Sequence, residues 1–208
     1  MRRFEAVAFD LLTALLDSWS LWAAVAGDRA RGEAWRTASL AAVTTAGNYA
    51  PYEDLVLRAT REVGLPEART AELLQRCGEL KPWPEVPTVL NRLAGWRLAI
   101  VTNCSQRLAE QAAASTGGRF EQVVSAERAG FYKPDPRPYR LAAELLGLPP
   151  ERVLFVAGFA HDLPGAAGAG MPVYWSNRAR LPIPAGATPL LDAPDLLALP
   201  ALLGSVAG

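Results

Sequence analysis

The nine residues FEAVAFDLL, at positions 4–12, decide the fold expected for this 208-residue chain. They form a short, almost continuous apolar run, which is typical of a strand buried on both faces of a parallel sheet. Four later segments have a similar character, the last of them weaker: 98–102, 153–156, 173–175 and 122–125. Helix-like stretches lie between them, notably 106–114 and 138–146, and Gly147 follows the second, as a helix C-terminus often requires. The alternation predicts an α/β fold with a Rossmann-like parallel sheet.

One region interrupts this alternation. From about residue 19 to residue 76 the sequence is rich in Ala and Leu with scattered Arg and Glu, and Pro82 and Pro84 close the segment. This pattern predicts an all-helical insertion that covers the carboxyl ends of the strands, where open α/β sheets place their ligands. The last twenty or so residues predict only a short packing element. The predicted domains are a Rossmann-like core of residues 1–15 and 86–208 and a helical cap of residues 16–85.

Charge and composition exclude several classes of partner. Lys plus Arg and Asp plus Glu both number 21, and no basic run is interleaved with aromatic residues, so a nucleic-acid partner is not expected. No run approaches the roughly twenty apolar residues that span a bilayer, and Glu5 and Asp10 interrupt the N-terminal apolar stretch. Cys77 and Cys104 match no metal or disulfide spacing, which favours reduced thiols in a cytoplasmic protein.

Polar side chains follow the ends of several predicted strands. Asp10 ends the first strand, Thr102 and Asn103 end the second, Lys133 precedes a helix, and Asp162 follows the fourth strand. Each has a structural explanation by itself, because Asp and Asn at strand ends commonly cap helices or form turns. If the strands are parallel and adjacent, however, these groups converge at one edge of the sheet.

Such a convergence has a definite chemistry. Two carboxylates at close range need a cation between them, and Lys133 can supply it. A carboxylate held ionised by an ammonium group can attack an electrophile and form a covalent ester. The second carboxylate can then activate the water that hydrolyses this ester. The residues therefore predict a hydrolase with Asp10, Lys133 and Asp162 as its catalytic groups.

The ordered motifs resemble those of a known superfamily. The chain is similar to the haloacid dehalogenase superfamily in four motifs: Phe9-Asp10, Val101-Thr102-Asn103, Tyr132-Lys133-Pro134-Asp135 and the late Asp162. Within it, the chain most resembles the L-2-haloacid dehalogenases, through Trp35-Arg36 in the cap, Tyr139 six residues beyond the lysine, and Trp175-Ser176-Asn177-Arg178. The resemblance implies that the aspartate displaces halide from the second carbon of a 2-haloacid, a small-molecule substrate.

The resemblance also implies substrate-binding residues. Arg36 and Asn103 would accept the departing halide, and Thr102 would hold the substrate carboxylate together with backbone amides after Asp10. Tyr139 would lie near Lys133. A different interpretation of Arg36 stays open at this point, namely a surface ion pair on an amphipathic helix. An Ala- and Leu-rich cap helix could also pack against a second copy, and the resemblance implies a homodimer.

Two positions separate this chain from the phosphatases of the superfamily. Those enzymes carry a general acid two residues after the nucleophile, where this chain has Leu12. They also have an acidic residue at the start of the late motif, where this chain has Ala157. Asp10 and Asp162 alone provide too few oxygen ligands for a hard cation, so no essential metal or other cofactor is predicted. A magnesium-dependent phosphatase of the same superfamily is the alternative, with Mg²⁺ as its cofactor.

Other positions depart from the dehalogenases. Ala14 lacks the hydroxyl with which the family supports the nucleophile, and Ala157 and Phe159 replace a Ser and an Asn that help to hold the second carboxylate and the water. Leu12 and Phe159 are expected to line the substrate pocket. A binding protein that kept the fold and lost turnover is therefore a third hypothesis. His161, the single histidine, is expected to be structural.

Overall fold

The central sheet is parallel throughout, as predicted. A computed structural model describes residues 3–205 and contains a six-stranded sheet in the order β3-β2-β1-β4-β5-β6, with parallel pairing between all neighbours. The strands are β1 Ala6–Phe9, β2 Arg97–Thr102, β3 Gln122–Ser125, β4 Val153–Ala157, β5 Val173–Ser176 and β6 Leu191–Ala193. The helices are α1 Ser18–Ala26, α2 Arg29–Ala46, α3 Tyr52–Glu62, α4 Ala68–Gln75, α5 Val86–Arg92, α6 Gln106–Ala114, α7 Ala126–Ala129, α8 Pro136–Leu145, α9 Asp162–Gly168 and α10 Leu199–Ser205. A π-helical turn at Leu11–Leu15 and 3₁₀ turns at Arg76–Glu79 and Pro150–Arg152 complete the chain.

The burial of β1 explains its apolar sequence. Successive side chains of a strand point to opposite faces of the sheet. Val7 and Phe9 accordingly belong to one hydrophobic cluster, and Ala6 and Ala8 belong to the cluster on the other face. All four residues are fully buried, so β1 is the centre of a sheet covered on both sides.

The C-terminal region contains more structure than the sequence predicted. The expected packing element includes a sixth strand, β6, which pairs in parallel with β5, and the helix α10. β6 has only three residues, and one of them is the exposed Asp192, so no apolar run announces it.

The region between β1 and β2 contains helices α1 to α5 and no strand among its described residues. Two passes of the chain lie side by side at the base of α1–α4: Leu16 and Pro82 form an antiparallel bridge, and Asp17 N donates to Lys81 O at 2.9 Å. This pairing brings the start and the end of the helical segment together, as an insertion requires. The bounds 16–85 for the cap remain a prediction. Within residues 3–205, no helix combines the length and the apolar character needed to cross a membrane.

Candidate active site

The topology brings the polar strand ends together. From β1 the chain adds β2 and β3 on one side of the sheet and then β4 to β6 on the other side. The carboxyl ends of β1, β2 and β4 therefore surround the crevice at which open α/β sheets bind ligands. Asp10, Thr102 and Asp162 all lie at this edge.

Asp10 begins the π-helical turn that follows β1. Its Oδ2 atom accepts hydrogen bonds from Thr13 N at 2.8 Å, from Thr13 Oγ1 at 2.6 Å and from Ala14 N at 3.1 Å. The Oδ1 atom accepts one hydrogen bond, from Lys133 Nζ at 2.8 Å. The two carboxylate oxygens therefore differ: Oδ2 accepts three hydrogen bonds from the turn, and Oδ1, with one, keeps a lone pair available.

The turn after Asp10 has its hydroxyl group at an unexpected position. The expectation that Asp10 lacks hydroxyl support because of Ala14 is wrong, since the preceding Thr13 provides it. Gly158 makes room for this arrangement. A Cβ atom at position 158 would collide with Ala14 N and with the carbonyl carbon and Oγ1 of Thr13. The small residue after β4 thus lets the two loops approach each other.

Lys133 lies between the two carboxylates. Its Nζ is 2.8 Å from Asp10 Oδ1 and 3.0 Å from Asp162 Oδ1, and the residue is 4% exposed. Asn103 fixes the backbone of this lysine, because its Oδ1 accepts from Lys133 N at 2.8 Å and its Nδ2 donates to Lys133 O at 3.0 Å. The Lys133–Pro134 peptide bond is cis. Asn103 therefore holds Lys133 in position. The predicted contact of Asn103 with the halide would use the second hydrogen of its amide group.

The net shifts of the pKa values of the two carboxyl groups are opposite, because burial and hydrogen bonding are balanced differently at each. Burial raises the pKa of Asp10, but the charge of Lys133 and the hydrogen bonds from Lys133 and Thr13 outweigh it, so the pKa lies below its ordinary value. Burial also raises the pKa of Asp162, and Lys133 only partly offsets it, so that pKa lies above its ordinary value. Burial lowers the pKa of Lys133, but the two carboxylates raise it by more, so the pKa lies above its ordinary value and the lysine stays charged.

Asp162 begins α9 and keeps one oxygen without a partner. Its Oδ1 also accepts a hydrogen bond from Tyr139 Oη at 2.8 Å, whereas its Oδ2 is buried with no hydrogen-bond partner in the described part of the chain. Gly165 allows α9 to lie this close to the lysine loop, because a Cβ atom there would collide with Pro134 O. A buried carboxylate oxygen of this kind is suited to accept a hydrogen bond from water.

Arg36 is a buried cation without a carboxylate partner. The residue is 4% exposed, and its guanidinium lies 5.2 Å from the ring centroid of Trp22. Trp22 in turn packs edge-on against the fully buried Trp35. No ion pair to Arg36 occurs within residues 3–205. The interpretation of Arg36 as a surface ion pair is therefore wrong, and the side chain is suited to receive an anion.

These groups surround one cleft between α2 and the edge of the sheet. Its lining includes all but one of the predicted site residues, namely Asp10, Leu12, Arg36, Thr102, Asn103, Lys133, Phe159 and Asp162. Tyr139 is fully buried behind Asp162 and does not line the cleft, so its predicted contact with substrate stays a prediction. His161 is exposed at the edge of the Phe159 ring and also lies outside the lining.

Several residues at the site were not assigned a role from the sequence. Thr13, Leu40 and Val43 line the cleft, and the last two are on α2 with Arg36, at the spacing that places side chains on one helix face. Trp83 donates from Nε1 to Thr13 O at 3.0 Å. Arg178 Nη2 lies 3.3 Å from Ala14 O and pairs with Glu85. No sequence signal reveals these last contacts, because they join segments far apart in the chain.

A buried, ionised carboxylate at the carboxyl edge of a parallel sheet, facing a helical segment across a cleft, defines a class of α/β hydrolases. The chain belongs to the haloacid dehalogenase-like hydrolase family, whose model matches residues 5–170. It is 33% identical to an (S)-2-haloacid dehalogenase of Pseudomonas putida, over 94% of this chain and 96% of that protein. A crystal structure of an L-2-haloacid dehalogenase superimposes with a TM-score of 0.87 at 28% identity, covering 97% of this chain and 99% of the other.

A further solved structure, of the L-2-haloacid dehalogenase from Xanthobacter autotrophicus with chloropropionic acid covalently bound, has a TM-score of 0.82 at 25% identity. It covers 97% of this chain and 98% of that one. The predicted family, the parallel sheet and the hydrolase class are thereby confirmed.

Proposed function

We propose that the chain is a 2-haloacid dehalogenase that needs no metal ion and forms a covalent ester on Asp10. The observation that carries the proposal is the content of one cleft. It contains an ionised carboxylate with one available oxygen and the buried guanidinium of Arg36, whose Nε has no hydrogen-bond partner among the described residues. A nucleophile and an anion acceptor on the same cleft suit the displacement of a leaving group that departs as an anion. The relatives that are (S)-2-haloacid dehalogenases support this choice of substrate class.

In the first step, Asp10 Oδ1 attacks the second carbon of the substrate. A carbon–oxygen bond forms as the carbon–halogen bond breaks, and the electron pair of that bond leaves with the halide. Arg36 accepts the halide, and the second amide hydrogen of Asn103 is a further donor. The substrate carboxylate binds near Thr102 and the first amides of the turn after Asp10, which lack intrahelical acceptors.

In the second step, water hydrolyses the ester. Its oxygen adds to the carboxyl carbon of Asp10, and its proton passes to Asp162, whose raised pKa makes it a base of suitable strength. The bond between the Asp10 carboxyl carbon and the substrate oxygen then breaks, and Asp162 returns its proton to that oxygen. The products are the 2-hydroxy acid and the free Asp10 carboxylate, and the second proton of the water is released to solvent. Lys133 holds both carboxylates and compensates for their charge during the cycle. The hydroxyl of Thr13 argues against a retired enzyme, because the nucleophile retains its hydrogen-bond support.

The donor set also supports the expectation that no metal is required. Among residues 3–205, no cluster of three or more His, Cys, Asp and Glu could hold an ion. The ammonium group of Lys133 occupies the position between the two carboxylates. Leu12, which lines the cleft where the phosphatases have an acid, cannot donate a proton to a leaving oxygen.

The decisive experiment measures halide release from both enantiomers of 2-chloropropionate with EDTA present. We expect the wild-type protein to release chloride from the (S)-enantiomer only, and Asp10→Asn to release none. Chloride release by Asp10→Asn at the wild-type rate would refute the nucleophile assignment. A phosphatase activity that EDTA abolishes, without any chloride release, would favour the magnesium-dependent alternative.

We also propose that the protein is a cytoplasmic homodimer. Two free cysteines, Cys77 and Cys104, support the cytoplasmic location, and the Ala-rich helix α2 supports the dimer. Light scattering coupled to size-exclusion chromatography should give twice the 22.3 kDa monomer mass. A monomer mass would refute the dimer.

A further inference from the structure

The π-helical turn after β1 is held by hydrogen bonds to its carbonyl groups. Trp83 Nε1 donates to Thr13 O at 3.0 Å, and Trp83 N donates to Leu15 O at 3.0 Å. The carbonyl between them, Ala14 O, accepts from Arg178 Nη2 at 3.3 Å. Carbonyl groups in the last turn of a helix lack partners within the helix. Trp83 and Arg178 therefore supply the partners that the turn cannot supply itself.

One of these hydrogen bonds leads directly to Asp10. Thr13 O and Ala14 N belong to the same peptide group, and Ala14 N donates to Asp10 Oδ2 at 3.1 Å. Trp83 thus binds the carbonyl end of a peptide group whose N–H end binds the carboxylate. Hydrogen bonds in such a chain polarise and strengthen one another. Trp83 is half-buried and does not line the cleft, so its side chain acts on the reacting atoms through this peptide group.

Contacts with the core fix the position of the Trp83 indole. The guanidinium of Arg178 lies 4.5 Å from the ring centroid of Trp83 and pairs with Glu85. Glu85 Oε1 is also 3.4 Å from Leu196 N, which donates to it. Trp83 and Glu85 lie on the segment that returns from the helical region to the core, whereas Arg178 follows β5 and Leu196 precedes α10. The core therefore holds the indole against the turn.

We propose that Trp83 is a positioning residue that speeds hydrolysis of the Asp10 ester by strengthening the hydrogen bond from Ala14 N to Oδ2. The inference rests on the proposed dehalogenase function. During the attack on the substrate, negative charge leaves the carboxylate. When water then adds to the carboxyl carbon of the ester, an electron pair of the C=O bond moves onto Oδ2, and donors are most effective where charge develops. The chain of hydrogen bonds from Trp83 therefore favours the second step over the first.

The two steps can be separated with (S)-2-bromopropionate at saturating concentration. The ratio of covalently modified to free protein, measured by intact mass after rapid quenching, then equals the rate of attack divided by the rate of hydrolysis. Trp83→Phe removes the N–H group and should raise this ratio about fivefold, because one of the donors to Oδ2 is weakened and not removed. The rate of attack, obtained from this ratio and kcat, should stay unchanged.

Trp96→Phe is the matched control and should leave both rates unchanged. Trp96 is also half-buried, but it precedes β2 and lies at the opposite edge of the sheet from Asp10. If Trp83→Phe fails to fold, Trp83 is replaced instead by 3-benzothienylalanine, which has the shape of tryptophan without the N–H group. Equal slowing of both steps would overturn the inference, because it would show a disturbed turn and no selective effect on the charge at Oδ2.

The amide proton of Ala14 provides a measurement that does not depend on turnover. A weaker hydrogen bond to Oδ2 should move its NMR resonance upfield in the benzothienylalanine variant, in which the aromatic ring is retained, and not in Trp96→Phe. An unchanged resonance together with an unchanged ratio of modified to free protein would overturn the inference. A wild-type protein that releases no bromide would refute the dehalogenase function and the inference with it, whereas the upfield shift would still demonstrate the chain of hydrogen bonds.

Discussion

Gly158→Ala tests whether the close approach of two loops sets the position of the nucleophile. The loop after β4 touches the turn that holds Asp10, and the missing side chain of Gly158 makes this contact possible. A methyl group at this position would collide with Ala14 N and with the carbonyl carbon of Thr13. Both atoms belong to the backbone, so no change of side-chain rotamer can relieve the collision.

The size of the effect follows from the geometry. The added carbon would lie more than 1 Å inside the 3.4 Å at which ordinary contact begins, so the turn must move by about that distance. A misplacement of about 1 Å at a reacting group lowers the rate by roughly 100-fold. Overpacking of this kind lowers the free energy of unfolding by about 1–3 kcal/mol. We therefore expect a folded protein whose kcat/KM for (S)-2-chloropropionate is about 100-fold lower than that of the wild type.

Gly168→Ala is the matched control, because a Cβ atom at that position of α9 meets nothing within 4 Å. Chloride release and thermal unfolding are measured for both variants, with activity assayed well below either melting temperature. Activity of Gly158→Ala within twofold of Gly168→Ala would refute the reasoning. It would mean that the nucleophile turn tolerates a displaced backbone or that the two loops separate without consequence for Asp10.

Two further changes test the anion acceptor and the second carboxylate. Arg36→Met should lower kcat/KM for chloride release by roughly 30- to 100-fold, because a charged hydrogen bond to the halide is lost. The variant should not have a lower melting temperature, since it removes a buried charge that has no carboxylate partner in the described chain. A large loss of stability without loss of activity would contradict the role of Arg36 as the halide acceptor. Tyr139→Phe removes a donor that lowers the pKa of Asp162, so that pKa should rise further above its ordinary value. The acid limb of the pH profile of kcat should then move to higher pH, and an unchanged limb would exclude Asp162 as the group that titrates.

The sequence predicted the sheet and the meeting of two carboxylates at its edge because both depend on local patterns. An apolar run followed by Asp10, and another followed within a few residues by Asp162, identify strand ends that a parallel sheet must bring together. β6 was not predicted because three residues with an exposed aspartate carry too little apolar character. A short edge strand forms because it pairs with the neighbouring strand, and its own sequence shows little of this.

The hydrogen bond from a hydroxyl group to Asp10 could not be predicted from the sequence for a different reason. In the resembled family the supporting hydroxyl group is at the position of Ala14, so the sequence by itself indicates that this support is lost. The hydroxyl group is one residue earlier, on Thr13, and the space for it is provided by Gly158, far along the chain. Such an exchange between two loops is visible only when their backbones are placed side by side.

The unequal hydrogen bonding of the two carboxylates beside Lys133 predicts that acid slows the second chemical step before the first. Asp10 accepts hydrogen bonds from the lysine, a hydroxyl and two backbone amides. Among the described residues Asp162 is stabilised by the lysine and Tyr139, and the pKa values of the two carboxyl groups accordingly move apart. As the pH falls, Asp162 is protonated before Asp10. Attack on the substrate then continues while hydrolysis of the ester slows. Intact-mass measurements after rapid quenching should show that the covalently modified fraction rises on acidification; a fraction that stays constant or falls would mean that Asp162 is not the base for the water.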